Sequence, residues 1–125
     1  TLETRRALPA ADHPNDLLAH GERLFVSCGN ADQVVVLSAA DGAVVERIHV
    51  ALTPRAPVGA TPSALALSPD GKTLYVALSD ANAVAVVDVA TPGRSRVAGL
   101  VPTAHYPSAV ALSADGARLF VGSGK

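Results

Sequence analysis

Residues 61–76 and 106–121 superpose without a gap. Thr61-Pro62-Ser63-Ala64-Leu65-Ala66-Leu67-Ser68-Pro69-Asp70-Gly71 aligns with Tyr106-Pro107-Ser108-Ala109-Val110-Ala111-Leu112-Ser113-Ala114-Asp115-Gly116, and Leu74-Tyr75-Val76 aligns with Leu119-Phe120-Val121. The copies lie 45 residues apart, measured from Pro62 to Pro107. A more diverged copy begins at His13-Pro14-Asn15-Asp16-Leu17-Leu18-Ala19 and continues through Gly21-Glu22-Arg23-Leu24-Phe25-Val26. It precedes the middle copy by 48 residues at the proline and by 50 at the aromatic, so its first hairpin turn is two residues shorter. A period of this length restricts the chain to solenoids, propellers or other arrays, and the secondary structure inside one period decides among them.

Inside the middle copy every segment reads as strand. Ala64–Ser68 is short and apolar, and Pro69-Asp70-Gly71 is a turn in which proline presets φ and glycine accepts a positive φ. Thr73–Leu78 is rich in β-formers, Ser79-Asp80-Ala81-Asn82 is a second turn, and Ala83–Asp88 is a third strand stopped by Thr91-Pro92-Gly93. Ser95–Val101 supplies a fourth. Four antiparallel strands in about 45 residues is the pattern of a propeller blade. A helical solenoid would need a 3.6-residue apolar period, and none is present. Ala83-Val84-Ala85-Val86-Val87 has no polar alternation, so this strand is predicted to be covered on both faces, as stacked blades require. Ala64, Ala66, Ala109 and Ala111 fall on the innermost strands, where blades converge and small side chains permit close approach; a bias of composition toward alanine would produce the same pattern.

The predicted organisation is all-β, about two and a half four-stranded blades. Residues 1–12 are expected to end a preceding blade, with a strand over 1–8. Residues 13–59 form a first blade, with strands near Asp16–Ala19, Arg23–Ser27, Gln33–Ser38 and Val44–Val50, and a proline-rich connection from Pro54 to Gly59. Residues 60–104 form a second blade and 105–125 the first half of a third. The 125 residues contain no methionine, which predicts an internal segment or a product trimmed at both ends.

Composition excludes several function classes. The net charge is −1, so nothing drives nucleic-acid binding by counterion release. Apolar residues make up 49% and charged residues 17%, unlike a disordered tail. No apolar run reaches the roughly 18–20 residues of a membrane-spanning helix. The single cysteine, Cys28, permits no intrachain disulfide framework.

Pro62-Ser63-Ala64-Leu65-Ala66-Leu67-Ser68-Pro69-Asp70-Gly71-Lys72, Leu74-Tyr75-Val76-Ala77, Asn82-Ala83-Val84 and Val86-Val87-Asp88 together resemble the YVTN repeat. That resemblance implies a seven-bladed propeller of the YncE-like type and a periplasmic or extracellular location. Asp32 and Asn82 stand where the repeat usually carries asparagine. The first copy departs most: Ala19-His20-Gly21 replaces the Ser-Pro-Asp-Gly turn, and Cys28 replaces Leu78. Gly99-Leu100-Val101-Pro102-Thr103, His105-Tyr106-Pro107 and Gly122-Ser123-Gly124-Lys125 are similar to a subfamily in which the propeller precedes an alkaline-phosphatase-like phosphoesterase domain. Its metal-binding residues would then lie outside this chain.

In such a propeller the connections between blades and the loops joining second to third strands share one face. That face would carry His13, Asn30, Asp32, Thr61, Asp80, Asn82, His105 and Tyr106, a polar surface suited to a protein or small-molecule ligand. The alternative is that the Asn and Asp residues serve as turn caps. Tyr106 is expected to pack between blades with its hydroxyl at the surface. Asp12, His13, Asp16 and His20 invite a metal reading, but His20 belongs to a turn at the opposite end from His13, so no metal or other cofactor is expected. On the inner strands only Asp16 carries an acid, and no Ser, Cys or phosphate-loop motif is complete, so no catalytic residue is assigned. Cys28 reads as a small buried hydrophobe.

Two and a half blades cannot close a ring. The remaining blades of a longer chain, or further copies of this one, are the expected partners, and the chain alone is expected not to be a well-behaved monomer. The leading reading is a non-catalytic exported scaffold that binds through its loop face. The alternative is the propeller portion of a bifunctional phosphoesterase; a third reading, lactonase-type catalysis within the ring, needs inner-strand acids from other blades.

Overall fold

The computed structural model describes residues 2–51, 53 and 55–124, so Thr1, Leu52, Lys125 and Pro54, the first residue of the proline-rich connection, lie outside it. The described residues contain ten strands and no α-helix. The first sheet is β1 (Pro14–His20), β2 (Arg23–Cys28), β3 (Gln33–Ser38) and β4 (Val44–His49). The second is β5 (Pro62–Leu67), β6 (Thr73–Leu78), β7 (Ala83–Asp88) and β8 (Arg96–Pro102). The third holds β9 (Pro107–Leu112) and β10 (Leu119–Ser123). Within each sheet the strands follow chain order and pair antiparallel. The first strands of the sheets, β1, β5 and β9, lie side by side, which makes the assembly an arc of propeller blades.

The strand alternation explains why one sheet needs another. Val34 and Val36 of β3 point to one face, together with Phe25, Ile48 and Val50. There they meet Leu65, Leu74, Val76, Leu78 and Val87 of the second sheet, forming the main core. Val35 and Leu37 point the opposite way, with Val26 and Cys28, and are covered by Leu8, Ala10 and Ala11. A strand with valine at both parities must be covered twice, and β3 and β7 both are. Ala64 and Ala66 are buried as the inner-strand reading requires. Ala109 and Ala111 are exposed, because no further sheet lies beyond β9 among the described residues.

Residues 2–10 form no strand, contrary to the expectation for 1–8. A strand needs a ladder neighbour, and this segment instead crosses the flank of the first sheet. Leu8 reaches the β3–β4 turn, where a Cβ placed on Gly42 would fall 2.4 Å from it. Gly42 has φ +75°, so that turn demands glycine on conformational grounds as well.

The hairpin turns repeat one chemistry. Ser68 Oγ donates to Asp70 Oδ1 at 2.6 Å, the Lys72 amide donates to the same oxygen at 3.0 Å, and the Thr73 amide donates to Ser68 Oγ at 2.9 Å. Ser113, Asp115, Ala117 and Arg118 reproduce this set in the third sheet. Asp41 accepts from the Ala43 amide at 3.0 Å in the β3–β4 turn. The Ala43 amide and then Ser38 hold the Asp41 carboxyl below its usual range. The serine hydroxyl and then the backbone amide do the same for Asp70 and Asp115.

Candidate functional site

Each sheet opens on a residue of left-handed conformation followed by proline: His13 (φ 59°), Thr61 (φ 57°) and Tyr106 (φ 55°). Left-handed backbone is unfavourable before proline and for a β-branched residue such as Thr61, so it persists only where its surroundings hold it. The hold comes from the segment that follows the second strand of each sheet. The Gly29 amide donates to His13 O at 2.9 Å, the Ser79 amide to Thr61 O at 3.0 Å, and the Gly124 amide to Tyr106 O at 2.7 Å.

The residue after each opening proline is the extra residue of a β-bulge: Asn15, Ser63 and Ser108 fall between paired neighbours. A bulge re-aims its side chain. Asn15 Nδ2 donates to Pro62 O at 2.9 Å. Ser63 Oγ and Ser79 Oγ both reach Pro107 O, at 3.4 and 2.7 Å, and bond each other at 2.7 Å. The longer asparagine faces Gly29, where a Cβ would sit 2.7 Å from its Nδ2, and the shorter serine faces Ser79.

The next link runs between neighbouring sheets. Asp32 (φ 49°) ends the β2–β3 loop, and Asn82 (φ 52°) ends the β6–β7 loop. Asp32 accepts through Oδ2 from the Gly59 amide at 2.8 Å, and through Oδ1 from the Ala60 and Thr61 amides at 3.0 and 3.3 Å. Its backbone carbonyl accepts from the Val50 amide at 2.9 Å. One residue therefore clamps both ends of the connection over 50–61. Asn82 repeats the arrangement with one acceptor: its Oδ1 takes the Tyr106 amide at 2.8 Å, and its carbonyl takes the Thr103 amide at 3.0 Å.

The eight sequence-predicted residues thus gather at one end of the sheets, in three stations. His13 and Asn30 are exposed beside the first loop. Asp32, Thr61 and Asp80 form the second station, where Thr61 Oγ1 donates to Asp80 Oδ2 at 2.6 Å. Asn82, His105 and Tyr106 form the third, with His105 exposed and Tyr106 half-buried. Asp32 needs correcting as a surface residue: it is wholly buried, because three backbone amides take in its carboxylate. It and Asn82 act as caps, but on the next sheet's opening rather than on their own turns.

Asp16, the one acid on an inner strand, is likewise engaged. Its Oδ2 accepts from the Leu65 amide and its Oδ1 from the Leu17 amide, each at 2.9 Å. His20 lies at the far end of β1, against Gly71. Among the described residues no group of three or more His, Cys, Asp or Glu side chains could hold a metal ion. Cys28 is wholly buried, with Sγ 3.7 Å from Val26 O.

Two inter-sheet links escape sequence reasoning. Glu46 accepts from the Gly93 and Ser95 amides at 3.2 and 3.1 Å and from Ser95 Oγ at 2.6 Å. Arg23 stacks over Phe25 and donates to Val89 O at 2.7 Å and Gly71 O at 3.3 Å. Glu46 lies outside the repeated segments, and Arg23 stands in the first copy where the second has Thr73. The bulge residues carried a signal, since Asn15, Ser63 and Ser108 each follow the opening proline.

Several solved structures share this architecture. Hydrazine synthase of Kuenenia stuttgartiensis aligns with a TM-score of 0.78 and 23% identity, over 98% of this chain and 32% of that one. The periplasmic gluconolactonase PpgL of Pseudomonas aeruginosa aligns with a TM-score of 0.68 and 25% identity, over 87% of this chain and 33% of that one. A functionally unknown protein of Desulfotomaculum acetoxidans gives a TM-score of 0.68 and 21% identity, over 90% of this chain and 33% of that one. The chain therefore spans about a third of the length of each. No curated protein matches the sequence. Residues 11–125 match the family described as lactonase, 7-bladed beta-propeller, so the repeat first seen at Pro62 and Pro107 places this chain in the seven-bladed lactonase propeller family.

Proposed function

We propose that these residues form a non-catalytic arc of blades in an exported propeller, and that the exposed part of the loop face serves in recognition. One observation carries the reading: the acids and amides that could serve chemistry near the axis are engaged on backbone amides and carbonyls. The side chains of Asp16, Asp32, Asn15 and Asn82 each bond the main chain; those of Asp32, Asn15 and Asn82 reach the opening of the next sheet, and Asp16 reaches Leu65 within β5 as well as its own neighbour Leu17. A carboxylate that holds two or three backbone N–H groups is poorly placed to ligate a metal or move a proton. The side chains of His13, Asn30 and His105 are exposed on that face.

A second reading concerns the whole ring. Membership of the lactonase family, and the likeness to a gluconolactonase, favour a complete protein that hydrolyses a lactone with groups from other blades. Both readings are tested on the full-length protein with gluconolactone in a pH-stat assay. Hydrolysis supports the second reading, and its absence refutes it. If hydrolysis occurs, substitution of His13, Asn30 or His105 by alanine is expected to change kcat by less than about twofold. A loss of 100-fold or more, the scale of removing a general acid or base, would overturn the non-catalytic reading.

A further inference from the structure

The two inter-sheet connections differ in length. Residues 103–106 join β8 to β9, whereas residues 50–61 join β4 to β5. Insertions in repeat architectures fall in loops on one face, often the binding face. Asp32 holds the two ends of the longer connection, at Val50 and again at Gly59, Ala60 and Thr61. Between it and the β6–β7 turn lies a crevice of about 290 Å³. That is roughly ten waters' share of liquid volume, enough for a small group. Ala56, Pro57, Val58, Ala60 and Ala81 supply apolar walls, and Asp80 supplies the one charged side chain among its lining residues. Val58 is 63% exposed, an apolar side chain held in water at the rim.

We propose that this crevice binds a primary alkylammonium group on a short apolar stem, with the charge at Asp80 and the stem against Val58 and Ala81. The claim rests on the loop-face reading above and names its ligand chemistry. Asp80 has no ion-pair partner among the described residues. Its Oδ2 accepts one bond, from the Thr61 hydroxyl at 2.6 Å, which fixes the carboxylate and leaves Oδ1 facing outward from that bond. The Thr61 hydroxyl competes for one side of the carboxylate, which disfavours the paired bonds of a guanidinium fork relative to the compact charge of an ammonium. The apolar walls select for a stem of a few carbons rather than a bare ion.

The test is a titration of the full-length protein, in which the remaining blades cover the open flanks, followed by the amide chemical shifts of these residues. The probes are butylammonium, ethylammonium, butylguanidinium, butyrate and the tripeptide Gly-Lys-Gly. Butylammonium is expected to move the amides of Ala56, Val58–Thr61, Asp80 and Ala81. It should bind severalfold tighter than ethylammonium, up to about fifteenfold for two fully buried methylenes. Butylguanidinium should bind no tighter, and butyrate should leave these amides unmoved. D80N should weaken butylammonium about fivefold, the most an exposed ion pair supplies. Equal shifts from butyrate and butylammonium would overturn the proposal in the unaltered protein, whatever D80N does to folding. Unchanged affinity in a well-dispersed D80N spectrum would also overturn it. Shifts confined to His105 and Tyr106 would overturn the crevice while leaving the loop-face reading standing. Gly-Lys-Gly binding at least as tightly as butylammonium supports the proposal with a peptide lysine as the source; binding of butylammonium alone supports it with a free amine.

Discussion

Replacing Asp32 by alanine should be among the most damaging single changes in the chain. The carboxylate is wholly buried and accepts three backbone amides, from Gly59, Ala60 and Thr61. Of these residues Ala60 is buried, Thr61 is half-buried and Gly59 is exposed. Water can therefore satisfy Gly59, while the Ala60 amide is left unpaired at a cost of about 1–3 kcal/mol. Asp32 also sits at φ 49°, where alanine costs roughly 1–2 kcal/mol that aspartate partly avoids. D32A should therefore lose about 2–5 kcal/mol. D32N keeps the backbone tolerance and one acceptor, as Asn82 does natively with the Tyr106 amide. Its NH2 group would face a donor, so about 1–2 kcal/mol is expected to go. Urea denaturation gives the ranking, and hydrogen exchange gives the location: Val50, Ala60 and Thr61 should lose protection before the β6 amides do. D32A within about 0.5 kcal/mol of the parent, the range of an ordinary surface change, would refute the clamp. D32N falling as far as D32A would refute the role given to the left-handed backbone.

Three further outcomes follow from the same contacts. Asp41, Asp70 and Asp115 have carboxyls held below the usual range, so the folded state binds their protons less readily than the unfolded one. Their stabilisation is present above the unfolded value of about 3.9 and is lost as pH falls through the lower folded values; urea midpoints taken from pH 7 to pH 2 should show this, and a D70N/D115N chain should show a shallower fall below pH 4. E46A removes an acceptor shared by Gly93, Ser95 and the Ser95 hydroxyl and should cost about 1 kcal/mol in urea denaturation, with exchange quickening at Ser95. Phe120 is 56% exposed on the open flank of the third sheet, so light scattering should find the unaltered chain associating with concentration, and F120D should lower that association.

The blade pattern was legible because it rests on local chemistry. Ser68-Pro69-Asp70-Gly71 writes its turn in four residues, and Ala83–Val87 announces two-sided burial by lacking a polar face. β3, β6 and β7 accordingly begin and end where the pattern put them. The loop face was legible as a location, since the opening prolines recur at 48 and 45 residues. What each side chain does there was not. Asp32 and Asp80 are both acids beside turns, yet one is buried under three amides and the other is exposed with a free oxygen. That difference is set by the neighbouring sheet, about 28 residues along the chain, and no local signal carries it. Glu46 and Arg23 were missed for the same reason, since their partners lie 47–49 and 48–66 residues away.

The two connections show how one frame carries different surfaces. Both end in a left-handed residue before proline, and both are anchored by an Asp or Asn at the end of the preceding β2–β3-type loop. Asn82 needs only one oxygen to hold the short connection, because one amide, that of Tyr106, must be fixed. The longer connection returns with three consecutive amides turned inward, and there the anchor is a carboxylate, which has two oxygens and no competing donor. The choice between Asp and Asn at this position therefore follows from how many amides the next connection presents. Within this chain, an acid at the anchor marks the long connection, and the long connection is the one that builds a crevice beside it. Chemical variety then lies in the inserted residues, such as Val58 and its neighbours, while the anchor keeps the blades in register. If that division holds, exchanging residues 55–58 should alter what the crevice binds and leave the urea midpoint nearly unchanged.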